Sequence, residues 1–149
     1  MARTVNDIVI DAPASAVMAV IADFDAYPQW ATGMQEAEVI DRDEAGRPLD
    51  VHFRLDAPPI RDTFTLRYLW RGDRQVSWCL VPDEETMLTA MDGAYTLDDV
   101  SGGRTRVTYQ LAVDIGLPLL GMLKRKAEKV VVDTALNGLK RRVETGPGA

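Results

Sequence analysis

The chain has 149 residues, a formal net charge of −6, 46% apolar residues and 27% charged ones. A chain of this size buries about two-thirds of the surface it exposes when unfolded, so it supports a core of its own and is not intrinsically disordered. The acidic balance argues against a nucleic-acid partner, which needs clustered Lys and Arg to displace counterions, and against a general affinity for anionic lipid.

The longest apolar stretch, residues 115–123, contains one proline and two glycines. It reaches about half the length needed to cross a bilayer, so no integral membrane segment is expected. The first residues, MARTVNDIVID, carry no apolar signal core, and the cytoplasm is the expected compartment. Cys79 and His52 are the only residues of their types. Disulfide frameworks and Cys/His zinc sites need several such groups, so no metal is expected. Nucleotide-binding glycine loops and the G-x-S-x-G hydrolase motif are absent from the sequence, and no cofactor is expected.

One domain over residues 3–144 is expected, with 145–149 as a flexible tail. Residues 4–10 are short and β-branched, which predicts a first strand. Asp11 and Pro13 then offer a helix cap and a first-turn proline. Val17, Val20, Ile21 and Phe24 recur at helical spacing, giving a short helix to about Asp23. Tyr27, Pro28, Gln29 and Trp30 end it or form a second brief turn.

From Met34 onward the apolar period is two. Strands are predicted over 34–42, 49–57, 62–71, 75–81, 86–98 and 104–115. Turn residues separate them, such as Asp43 to Gly46, Pro58 and Pro59, Gly72 and Asp73, and Ser101 to Gly103. Short connections imply an antiparallel meander. Residues 118–143 read as a long helix whose stripe runs through Leu120, Leu123, Ala127, Val130, Val131, Thr134 and Gly138. Lys124, Arg125, Glu128, Lys129 and Asp133 fall mainly outside that stripe.

The alternation assigns an inner sheet face. It carries Val51, Phe53 and Leu55; Phe64, Leu66, Tyr68 and Trp70; Val76, Trp78 and Leu80; Met91, Gly93, Tyr95 and Leu97; and Val107, Tyr109, Leu111, Val113 and Ile115. Seven strands about 4.8 Å apart make a face some 30 Å wide, whereas one helix is about 10–12 Å across. A single helix does not cover that face. The sheet must curl, and a cavity is expected between sheet and helix. Its expected ligand-binding lining is Trp30, Phe53, Phe64, Tyr68, Trp78, Met91, Tyr95 and Tyr109 with Leu120, Leu123, Ala127 and Val131 of the helix.

Six segments carry a family resemblance: residues 10–17 (IDAPASAV), 21–30 (IADFDAYPQW), 92–97 (DGAYTL), 103–109 (GRTRVTY), 119–128 (LLGMLKRKAE) and 139–144 (LKRRVE). In order and spacing the chain resembles the polyketide cyclase/dehydrase and lipid-transport superfamily, also called START-like or SRPBCC. The resemblance implies an α+β helix-grip fold: a curved seven-stranded antiparallel sheet around a long C-terminal helix, with two short helices after the first strand. It also implies a cavity for a lipid, quinone, polyketide or similar guest, and does not fix an activity.

An aromatase, cyclase or dehydratase is the alternative to a binder, and it needs a positioned acid or base. His52, Arg54 and Arg67 fall on the outer face by parity. Tyr68, Tyr95 and Tyr109 are the ionisable groups assigned inside, and a phenol with a pKa near 10 is a poor base at neutral pH. A Cys79–His52 dyad across strands carries little weight, and Arg71-Gly-Asp73 reads as a hairpin turn. Binding therefore outranks catalysis. Leu119 and Leu120 at the cavity rim suggest transient contact with a membrane or partner; the oligomeric state is open.

Overall fold

The structure, a computed structural model, describes residues 3–57, 60–83, 86–115 and 121–146. Strand β1 (Arg3–Ile10) leads into helix α1 (Ala14–Ala22), a 3-10 turn (Phe24–Ala26) and the short helix α2 (Tyr27–Trp30). Six strands follow: β2 (Met34–Arg42), β3 (Pro48–Ala57), β4 (Ile60–Arg71), β5 (Gln75–Val81), β6 (Leu88–Val100) and β7 (Arg104–Ile115). The chain ends in α3 (Gly121–Asp133), a π turn (Thr134–Gly138) and α4 (Leu139–Thr145).

All seven strands form one antiparallel sheet in the order β1-β7-β6-β5-β4-β3-β2. Only β1 departs from the meander, pairing with β7 across from the edge formed by β2. Register is unbroken through β3, β4 and β5, so strict alternation holds there. It breaks in β2 between Met34 and Glu36, and in β6 between Leu88 and Ala90. The β6 irregularity allows Leu88 as well as the odd-numbered Tyr95 and Leu97 to be buried.

Helix α1 buries Ala14, Val17, Met18 and Ile21, a spacing of three and four that gives one apolar stripe. Burying a side chain the size of Ile21 or Met18 stabilises by about 1.5–3 kcal/mol, so Ile21→Asp is the change that would detach this helix. The expected Asp11 cap is not made. Pro13 occupies the capping position in extended conformation, and its ring, which carries no polar atom, makes no capping bond. Asp11 is instead tied by its backbone N–H to Glu144 Oε2 at 2.8 Å. Lys140 Nζ donates to the same carboxylate and to Val9 O, fastening α4 to the end of β1. Both contacts hold the Glu144 carboxyl below the usual carboxylate range.

The C-terminal helix departs from uniform α geometry. At the π turn the Leu139 N–H donates to Leu136 O, three residues back. Within that turn Ala135 O accepts a hydrogen bond from Tyr95 Oη at 3.0 Å. Gly138 then passes close over α2: a Cβ there would lie 3.2 Å from the Trp30 carbonyl oxygen. Glu128, expected on the wet side, is 9% exposed, with Oε2 accepting from Thr4 Oγ1 of β1 at 3.1 Å and Oε1 buried without a hydrogen-bond partner. It stands three and four residues before Val131 and Val132, on the apolar stripe itself.

Candidate functional site

Between the concave sheet face and the C-terminal helix lies a cavity of about 110 Å³. Its floor is aromatic because consecutive strands project large rings from the same face. Trp78 of β5 is at the centre, with ring centroids 5.7 Å from Tyr68, 5.6 Å from Tyr95 and 5.6 Å from Tyr109. Phe53 and Phe64 meet at 5.6 Å toward β3. Tyr27 and Trp30, 4.9 Å apart, close the corner where α2 joins. These contacts sit in the separation range favoured by tilted and edge-on rings.

The lining grades from buried to partly exposed. Phe53, Phe64, Tyr68, Trp78, Tyr95 and Tyr109 are buried, whereas Trp30, Met34, Leu55, Met91 and Val131 are half-buried and Thr32 is exposed. Met34 opens β2, Leu55 is near the end of β3 and Met91 is near the start of β6, so the half-buried side faces one end of the sheet.

Nine of the expected positions therefore surround one cavity: Trp30, Phe53, Phe64, Tyr68, Trp78, Met91, Tyr95, Tyr109 and Val131. Leu120 lies outside the described residues, as do the side chains of Leu123 and Ala127 and the rim residue Leu119. Sequence reasoning missed Tyr27, although it lies in the Tyr27–Trp30 turn that drew notice, and so missed a fourth buried phenol. Thr134 and Ala135 were in the helical segment but were not singled out for the site.

No charged side chain lines the cavity among the described residues. Burial pushes all four phenols above their ordinary value of 10, with neighbouring tyrosines adding to the effect at Tyr27, Tyr68 and Tyr95. They are neutral donors, not bases, at any physiological pH. Two of them are committed: Tyr27 Oη donates to Ile21 O, and Tyr95 Oη to Ala135 O. Tyr68 Oη and Tyr109 Oη make no protein hydrogen bond among the described residues. The indole nitrogens of Trp30 and Trp78 are buried donors without a partner.

The polar residues considered for catalysis sit on the opposite face. His52 Nδ1 lies 2.9 Å from Thr65 Oγ1. Arg67 donates twice to Asp50, at 2.8 and 3.0 Å, and Arg54 lies 3.5 Å from Glu36. Cys79 is exposed rather than packed, opposite Arg67 and Asp92 in the sheet, while His52 is opposite Thr65. Gly72, with φ +56°, makes the turn of the Arg71-Gly-Asp73 hairpin, whose carbonyl and carboxylate Arg47 holds. No helix among the described residues is long and apolar enough to cross a membrane.

A family model described as polyketide cyclase / dehydrase and lipid transport matches residues 10–140. No curated protein matches the chain. Among solved structures, a START superfamily protein from Mycobacterium smegmatis superposes with a TM-score of 0.85 at 20% identity, covering 96% of this chain and 97% of that one. A Thermus thermophilus protein gives 0.80 at 19% identity over 97% and 98%. A Streptomyces aromatase/cyclase gives 0.75 at 18% identity over 96% and 93%.

Proposed function

The chain belongs to the polyketide cyclase/dehydrase and lipid-transport family, and on that premise we propose that it binds, and carries, a hydrophobic small molecule in the cavity between the sheet and the C-terminal helix. The observation that carries this reading is the lining: aromatic and aliphatic side chains converge on one space, with no described charge among them. Such a space desolvates an apolar guest and holds it by dispersion and ring contacts. At about 110 Å³ it is on the scale of a single aromatic ring, since an apolar cavity of roughly 150 Å³ takes up benzene. Met34 and Met91 are half-buried lining residues whose flexible thioethers allow the cavity to widen for a larger guest.

The cyclase alternative has the fold of the Streptomyces aromatase/cyclase on its side. Against it, proton transfer needs a group whose pKa lies near the working pH, and the described lining supplies only phenols displaced away from it. The test is native mass spectrometry of protein purified from its own host, alongside a binding screen of fatty acids, quinones and polycyclic aromatics. A retained or bound apolar guest supports the reading; a protein that takes up no member of any class contradicts it.

A further inference from the structure

We infer that the cavity selects uncharged aromatic guests that carry a hydrogen-bond-accepting oxygen, and that Tyr68 and Tyr109 are the residues that read that oxygen; this rests on the binding reading above. Tyr27 and Tyr95 spend their hydroxyls on backbone carbonyls of Ile21 and Ala135. Tyr68 and Tyr109 do not, among the described residues, and both flank the Trp78 ring at the centre of the floor, at 5.7 and 5.6 Å. The Trp30 and Trp78 indoles are donors only, and each N–H is buried without an acceptor.

The lining thus offers a guest the uncommitted Tyr68 and Tyr109 hydroxyls on its aromatic floor, with the Thr32 and Thr134 hydroxyls at other points of the wall, while the two indole nitrogens are themselves buried; no cation lines it among the described side chains. A ketone, quinone or ether oxygen satisfies such donors. A purely hydrocarbon guest leaves them unpaired, and an unpaired buried donor is costly. A carboxylate brings a charge with no cation to meet it and loses its hydration on entry. Because burial keeps the phenols protonated well beyond neutral pH, they act as donors throughout the physiological range.

Three probes of nearly equal shape separate these cases: ethylbenzene, acetophenone and benzoate, titrated at pH 7 and followed by NMR shifts of the full chain. Acetophenone is expected to bind at least about tenfold more tightly than benzoate. In the Tyr68→Phe/Tyr109→Phe double variant, acetophenone affinity is expected to fall about fivefold, with ethylbenzene changed by less than twofold. The single variants Tyr68→Phe and Tyr109→Phe, isosteric and without a lost protein bond, report each hydroxyl separately should the double variant not fold. Benzoate binding as tightly as acetophenone, or equal losses for acetophenone and ethylbenzene, overturns the selection while leaving the cavity reading intact. Failure of all three probes contradicts the cavity reading itself and the inference with it.

Discussion

The Trp78 indole lies flat across Gly93 of the neighbouring strand, so closely that a Cβ at Gly93 would fall 2.3 Å from Cζ2 of the ring. The two residues are directly paired in the β5–β6 ladder. Glycine weakens a strand, and here an aromatic ring covers the bare backbone. The depth of the cavity floor is consequently set by a residue that never touches a guest.

Gly93→Ala must lift the indole toward the helix. The expected result is a loss of about 1–3 kcal/mol from overpacking, with a smaller cavity and weaker binding of any aromatic guest. Chemical denaturation together with an ethylbenzene titration checks it; unchanged stability and unchanged affinity would mean that the ring re-packs elsewhere.

The two classes of tyrosine separate by stability. Tyr95→Phe removes the buried side-chain donor to Ala135 O in the π turn, and losing such a hydrogen bond costs about 0.5–1.5 kcal/mol. Tyr68→Phe removes no protein hydrogen bond among the described residues and is expected to change stability by less than about 0.5 kcal/mol. Urea midpoints of the two variants provide the comparison.

All four tyrosines of the chain are buried with phenols raised above 10. A raised folded-state pKa gives stability that is complete below 10 and is lost as pH rises beyond it, because the unfolded chain ionises first. Absorbance at 295 nm is therefore expected to stay flat through pH 10 and then to rise in one step coincident with loss of circular dichroism. A gradual tyrosinate signal centred on 10 in folded protein would show exposed phenols.

Among the described residues, Thr4 Oγ1 is the one hydrogen-bond donor to the Glu128 side chain. Thr4→Val keeps the shape but leaves Oε2, like Oε1, without a donor among the described residues, so a loss of about 1–3 kcal/mol is expected. Adding Glu128→Gln should recover part of it, because the buried charge is gone. A Thr4→Val variant as stable as the parent would show that the carboxylate is held by other means.

The sheet was legible because its strands alternate cleanly and their turns are rich in Gly, Pro and Asp; β5 and β7 match their expected limits residue for residue. The cavity followed from comparing the width of seven strands with that of one helix. Irregularities were not legible. The β6 shift at Leu88 leaves no mark in composition, and the hydrogen bond that Ala135 O of the π turn accepts comes from Tyr95, 40 residues away. Glu128 was readable in principle, since its spacing to Val131 and Val132 places it on the apolar stripe, but charge alone suggested solvent. Tyr27 was hidden because a turn residue announces no face.

A crystal structure of the protein soaked with acetophenone tests the central claim most directly. The account predicts the ring beside Trp78 within the cavity, its oxygen within hydrogen-bond distance of Tyr68 or Tyr109. A guest lodged only on the outer sheet face, or a cavity that admits none at saturating concentration, would contradict it.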